Sequence, residues 1–259
     1  MSELVLIERD AYETRGVVKL TLNRPDAFNA LSEAMLEALE HALKDIAQSD
    51  ARVVVLAGAG RAFCAGHDLK EMRAEPALDY YRELFARCSR MMLTIQRMPQ
   101  PVIARVHGVA TAAGCQLVAM CDLAVASSEA RFAVSGVNLG LFCATPGVAL
   151  SRNVSRKAAF EMLVTGEFID AATARERGLV NRVASPAELD DAVHTLAATI
   201  AAKPREAVAA GKGLFYRQLE SGIEAAYALA SETMACNMMQ DAALEGTQAF
   251  IEKRPPRRD

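Results

Sequence analysis

Two short stretches concentrate the residue types that could do chemistry. "FCAGHDLKEM" spans residues 63–72 and "HGVATAAGCQ" spans residues 107–116. Each follows a β-branched apolar run and ends where a helix could begin. Small residues let another group approach the backbone, and a helix start presents N–H groups without acceptors. One N–H from each loop, aimed at a single carbonyl oxygen, would make an oxyanion hole. A helix start at 113 or 114 would add its dipole. On pattern alone, simply turning the chain from strand to helix fits such loops as well. Gln116 is the lone amide in "VATAAGCQLVAMCD", four residues into an apolar helical run. The backward tilt of a helical Cβ sends it toward the helix start. An amide there can orient a water or an acyl group, but it takes no proton near neutral pH.

Other reactive side chains are few. Histidines stand at 41, 67, 107 and 194, too dispersed for a metal set. The cysteines at 64, 88, 115, 121, 143 and 236 show no CxxC pair and no zinc spacing, so no metal is expected. Reduced thiols fit a cytoplasmic setting. His67 titrates near neutrality. Cys143, in "LFCATPG", is a thiol in apolar surroundings and suits packing better than attack. Asp68 is placed to cap the helix that follows it. The G-x-G-x-x-G, P-loop and G-x-S-x-G patterns are all missing, which removes the usual signals for nicotinamide, nucleotide triphosphate and serine-hydrolase chemistry.

The elements that must position these groups alternate in type. "LVLIERD" and "GVVKLTL" read as neighbouring strands joined by a polar turn. Ser32 caps a helix whose Leu36, Leu39, Leu43 and Ile46 recur at three- and four-residue steps. "RVVVLAG" is a buried strand, closed by "GAGRAFCAG". A helix from about 78 to 98 stops at "MPQP". Then come strand "PVIARVHG", a helix from about 113 to 120 and strand "LAVASS". Strand followed by helix, repeated, predicts an α/β fold with parallel strands. "SPAE" at 185–188 is a capping box, and from there to Arg254 the chain reads as helix, divided by Pro204 and the glycines 211, 213 and 222. The expected organisation is an α/β core over 1–195 and a helical region over 196–259.

Bulk numbers agree with a globular enzyme-sized chain. Of 259 residues, 52% are hydrophobic and 24% charged, and the net charge of −3 offers no basic stripe for nucleic acid. The basic close, "KRPPRRD", reads as a solvated tail. The opening "MSELVLIERD" lacks a signal-peptide pattern, and the apolar stretch 109–126 is broken by Gln116 and Asp122, so no membrane span is expected.

Taken together, "TLNRPDAFNAL", "GRAFCAGHDLKEM", "PVIARVHGVATAAGCQLVAMCDLAVASSEARF", "VNLGLFCATPG" and "EGTQAFIEKRPP" resemble the crotonase, or enoyl-CoA hydratase/isomerase, superfamily over nearly the whole chain. The resemblance implies a spiral of ββα units, a helical C-terminal trimerisation region, and a homotrimer or dimer of trimers. It also implies an acyl-coenzyme A thioester as substrate, with no further cofactor. Carried over by position, the oxyanion-hole donors would be the N–H groups of His67 and Ala113, among Ala65, Asp68, Leu69 and Gly114. Lys70 matches a position near the coenzyme A phosphates, and Phe250 and Lys253 match a pair that closes over the adenine end. Asp26 falls where some members place a phosphate-binding lysine.

The same resemblance places two catalytic glutamates at positions 116 and 136, where this chain has Gln116 and Gly136. Ordinary hydration is therefore expected to be slow, since general acid–base groups contribute roughly 10²- to 10⁴-fold each. Enolate chemistry that needs no strong base, such as decarboxylation, and acyl-CoA binding without turnover are the alternatives. "AGHDL" also resembles a decarboxylase branch of the superfamily, whose tyrosine is replaced here by Cys143.

Overall fold

A computed structural model describes residues 3–74 and 76–257. The last two residues of the basic tail and the first two of the chain lie outside the described residues. The chain divides into two compact units, Met1–Ile200 and Ala201–Asp259.

In the first unit, strands come in pairs that are shared between two sheets. The larger sheet takes β1 (Val5–Arg9), β2 (Val17–Leu22), β3 (Val53–Gly58), β5 (Val102–Val106), β7 (Leu123–Ser127) and β10 (Arg182–Ala184), side by side in that order. The smaller sheet takes β4 (Ala62–Cys64), β6 (Val109–Thr111), β8 (Arg131–Ala133) and β9 (Ile169–Asp170). β3, β5 and β7 run parallel in the first sheet, and their successors β4, β6 and β8 run parallel in the second. Each pair is one turn of a spiral of ββα units, the α/β architecture expected. β4, β6 and β8 are three residues long. In the sequence β4 and β6 fall within the loops that follow the longer strands, because three residues carry too little alternation to mark a strand.

Helices cover the spiral. α1 (Glu33–Ala47) begins at Ser32, whose hydroxyl accepts from the Met35 N–H at 3.1 Å, and buries Leu36, Leu39, Leu43 and Ile46 as their spacing predicts. α2 (Leu69–Ala74) is short, and α3 (Leu78–Arg97) buries Leu84, Cys88, Met91, Met92 and Ile95 against the same core. α4 (Ala113–Met120) is buried over seven of its eight residues, so its apolar run has no amphipathic stripe. α5 (Ala144–Leu150), α6 (Arg156–Thr165) and α7 (Ala171–Glu176) follow.

α8 (Leu189–Ala201) starts later than "SPAE" predicts. Residues 186–188 form a turn, and the Ser185 hydroxyl donates to the Glu188 carboxylate at 2.7 Å instead of capping the helix. The second unit holds α9 (Arg205–Leu219), α10 (Ile223–Met238) and α11 (Asp241–Ile251). Pro204 and Gly222 sit at the starts of α9 and α10, but Gly211 and Gly213 lie inside α9. A glycine costs a helix only about 1 kcal/mol and does not by itself end one.

One buried amide ties the first turn of the chain to the first chemical loop. Asn29 is completely buried in a left-handed conformation (φ 55°). Its Nδ2 donates to the carbonyls of Ala59 and Ala62 at 2.8 Å and Phe63 at 3.1 Å, and its Oδ1 accepts from the Arg24 N–H at 2.9 Å. Asn29→Ala leaves these backbone groups buried without partners. The expected cost is roughly 2–4 kcal/mol, read as a lower urea midpoint with an unchanged slope.

Candidate active site

The two chemical loops meet backbone to backbone. Gly114, in the first turn of α4, lies so close to Cys64 that a Cβ would be 2.0 Å from the Cys64 carbonyl oxygen. Gly66 packs from the other side: a Cβ there would be 3.0 Å from the Ala112 Cβ and 3.2 Å from the Ala113 nitrogen. Only glycine permits the first approach, and at Gly66 the tight contacts combine with a φ of +92° to favour it. The loops are thus held together at Gly66, just before one candidate donor, and at Gly114, just after the other.

Backbone conformation sets where those donors face. Gly66 has φ +92°, and Ala112 has φ 51° and ψ −120°, a combination costly for a residue with a Cβ. Ala112 is fixed on both sides: its N–H donates to Ala133 O at 2.9 Å, and its carbonyl accepts from Gln116 N–H at 3.0 Å. In each loop an unusual φ therefore precedes the candidate donor and turns the next peptide. His67 forms a parallel bridge with Leu31, in which Leu31 N–H donates to Gly66 O at 2.8 Å and Asp68 N–H donates to Leu31 O at 3.3 Å. This leaves the N–H of His67 itself on the opposite side. Among the described residues, neither the His67 N–H nor the Ala113 N–H has an acceptor.

The side chains of this region are neutral or already engaged. Gln116 is 5% exposed, and its Oε1 is buried with no hydrogen-bond partner. Both ring nitrogens of His67 are likewise buried and unpartnered, with the ring edge-on to Phe85 at 5.5 Å between centroids. Burial lowers the His67 pKa. The Leu31 backbone offsets part of this. Cys143 is pushed up by burial, partly offset by the Gly136 N–H, which donates to its sulfur at 3.3 Å. Cys115 is pushed up to about 12 by burial, with a further rise from Cys143.

Position 136 is closed. A Cβ on Gly136 would meet the Leu141 carbonyl oxygen at 2.5 Å and the Cys143 sulfur at 2.7 Å. The chain around it curls back, with Leu141 N–H donating to Gly136 O at 3.0 Å.

Asp68 caps α2. Its Oδ1 accepts from the N–H groups of Lys70 at 3.0 Å and Glu71 at 3.3 Å, and its Oδ2 pairs with Arg24 at 2.7 Å. Burial opposes ionisation, but Arg24 and the two amides outweigh it and hold the carboxyl below its ordinary pKa. Arg24 and Asn29 were not legible as parts of this site, since nothing in their type or spacing marks a partner 30 or more residues away. Ala65 donates its N–H to Phe28 O at 3.0 Å, while Leu69 and Lys70 are exposed on α2. Asp26 is exposed in the turn before α1. Phe250 and Lys253 belong to the second unit. Phe250 is 84% exposed at the end of α11, and Lys253 donates its N–H to Phe250 O at 3.2 Å. Among the described residues, no group of three or more His, Cys, Asp and Glu side chains could hold a metal ion, and no helix is long and apolar enough to cross a membrane.

A spiral of ββα units whose loops abut through glycines defines a class, and the comparisons agree with it. Residues 12–258 match the enoyl-CoA hydratase/isomerase family, and the chain belongs to that family. It is 46% identical over 247 residues to the human protein named "Enoyl-CoA hydratase domain-containing protein 3, mitochondrial", covering 95% of this chain and 82% of that protein. Among solved structures, an enoyl-CoA hydratase from Mycobacterium smegmatis superposes with a TM-score of 0.97 at 67% identity, over 99% of both chains. The human domain-containing protein 3 structure superposes with a TM-score of 0.94 at 44% identity, over 98% of this chain and 100% of that one.

The glycine contact is directly testable. Gly114→Ala drives a methyl group into the Cys64 carbonyl and is expected to abolish folding or cost more than about 3 kcal/mol. Ala112→Gly relieves an unfavourable φ and is expected to fold normally. Thermal unfolding of the two variants beside the parent checks both outcomes.

Proposed function

We propose that this protein binds an acyl-coenzyme A thioester and stabilises its enolate through the N–H groups of His67 and Ala113. The observation that carries this reading is the pair of acceptor-free N–H groups on two loops that touch at Gly66 and Ala113. Backbone dipoles fixed in a buried site need no reorganisation as negative charge develops on the thioester oxygen. Gln116 orients a water or the acyl group. Lys70 lies toward the coenzyme A phosphates, where an exposed ammonium is a suitable point charge. Phe250 and Lys253 close over the adenine end from a neighbouring copy. A homotrimer or dimer of trimers is supported by the exposed apolar side chains of the second unit, among them Phe215, Ile223, Tyr227, Met234 and Met239. A reducing, cytoplasmic compartment suits six cysteines that form no disulfide among the described residues.

Ordinary hydration is slow in this reading. Gln116 accepts no proton, and the closed surroundings of Gly136 leave no space for a second acid. Losing two acid–base groups removes on the order of 5 kcal/mol or more of barrier lowering. The same closure favours a second reading, in which the enolate forms by loss of carbon dioxide, since that departure itself leaves the electron pair and needs no base. Binding without turnover is the third.

Crotonyl-CoA tests the reading of positions 116 and 136. Its conjugated thioester absorbance is expected to fall at least about 10³-fold more slowly than with an enzyme that carries both glutamates. Loss at a rate typical of hydratases would overturn the reading of positions 116 and 136. Gln116→Glu is expected to fold. Gly136→Glu is expected to lower the melting temperature, because its side chain starts inside the Leu141 carbonyl.

A further inference from the structure

Each candidate donor is one end of a planar trans peptide, in which the C=O and the N–H point opposite ways. Whatever holds the carbonyl therefore aims the N–H. For Ala113 the carbonyl is that of Ala112, which accepts from the Gln116 N–H at 3.0 Å in the first turn of α4. That bond lies within one helix and asks nothing of any other segment. For His67 the carbonyl is that of Gly66, which accepts from the Leu31 N–H at 2.8 Å. Leu31 belongs to a different segment, so the first donor is only as well aimed as the seating of residues 65–68 against the turn 24–31.

Four bonds make that seating. Ala65 N–H donates to Phe28 O at 3.0 Å, Leu31 N–H to Gly66 O at 2.8 Å and Asp68 N–H to Leu31 O at 3.3 Å. The fourth is the ion pair between Arg24 and Asp68, at 2.7 Å. The longest of the three backbone bonds lies one residue past the donor, and Arg24 reinforces the loop at that same residue. Its side chain is 33% exposed and that of Asp68 only 12%, so water and salt screen the pair less than one at the surface. The backbone of Arg24 is fixed in turn: its N–H donates to Asn29 Oδ1 and its carbonyl accepts from the Asn29 N–H, both at 2.9 Å. The arginine thus joins a buried hub at its backbone to the neighbour of the donor at its tip. Capping α2 does not require it, since the cap uses Asp68 Oδ1 and the ion pair uses Oδ2.

Resting on the enolate reading above, we infer that Arg24 is a positioning residue: through Asp68 it seats the first loop so that the Gly66–His67 peptide turns its N–H toward the thioester oxygen. Its effect falls on negative charge at that oxygen more than on a neutral carbonyl, because hydrogen bonds to a charged acceptor are about twice as strong.

Acetoacetyl-CoA tests this, since its enolate absorbs where the keto form does not and shares its charge with the thioester oxygen. With the full chain at one fixed pH, binding to the parent protein is expected to raise the enolate-to-keto ratio above that of the free ligand. Arg24→Met is expected to lower the ratio of the bound ligand about tenfold, short of the roughly 10²- to 10³-fold effect of losing a donor outright. Affinity for butyryl-CoA, measured by isothermal titration, is expected to change by less than about threefold in the same variant. A single contact joins the pair, so Arg24→Lys, which keeps a cation within reach, is expected to hold the ratio within about threefold of the parent. Asp68→Asn keeps a capping oxygen but loses the ionic partner. It is expected to match Arg24→Met, and it decides the matter if that variant does not fold. A lower melting temperature with an unchanged enolate ratio, in either variant, would overturn the inference while leaving the acyl-CoA reading intact. So would a loss in Arg24→Lys as large as in Arg24→Met. If the parent protein fails to bind acetoacetyl-CoA, or binds it without raising the ratio, the enolate reading falls and the inference with it.

Discussion

Two loops pressed together with no side chain between them are the constraint on which the rest of the structure depends. Gly114 faces the Cys64 carbonyl and Gly66 faces Ala112 and Ala113, at distances that no Cβ could share comfortably. This contact sets the spacing of the two peptide N–H groups that the fold leaves without acceptors. It also explains why Ala112 keeps an unfavourable conformation. Strain of about 1–3 kcal/mol at one residue persists where neighbouring bonds over-determine it, and Ala112 is bonded on one side to Ala133 and on the other to Gln116. The third turn of the spiral, through β8, thus holds the second loop in place for the first.

What surrounds this contact is poor in charge. Cys115 and Cys143 are held as thiols by burial, and His67 as neutral imidazole. Asp68 is ionised but committed to Arg24 and to the start of α2. The site therefore offers dipoles and single hydrogen-bonding atoms in place of acids and bases. Fixed dipoles suit the stabilisation of a charge that arises elsewhere in the ligand, and they suit neutral polar groups. They are ill suited to moving protons.

The loops are also tied to their surroundings by bonds of long sequence separation. Asn29 gathers three carbonyls of the segment 59–63, Arg24 reaches Asp68, and Glu71 accepts the Glu33 N–H at 2.9 Å, fastening α2 to the start of α1. A buried amide with several partners is worth more than its bonds counted singly, because each carbonyl it serves would otherwise be stranded. The short helix that bears Lys70 is in this way held at both its cap and its first turn.

By itself the sequence determined the class of fold, the parallel strands, the helices α1, α3 and α4, and the two loops that could carry chemistry. Those follow from periodicity, β-branched runs and glycine, which are local signals; the spiral and the family came from the motifs in order. The missing acids were equally plain, since Gln116 and Gly136 are read directly. Tertiary structure alone decided the rest. That Gly136 is closed off by Leu141 and Cys143, that Asn29 is a buried hub, and that Gln116 and His67 keep unmatched polar atoms all depend on segments far apart in the chain coming within bonding distance. The strands β4, β6 and β8 exist for the same reason: three residues have no pattern of their own, and become strands only when the turn of spiral before or after supplies the partner for their N–H and C=O groups.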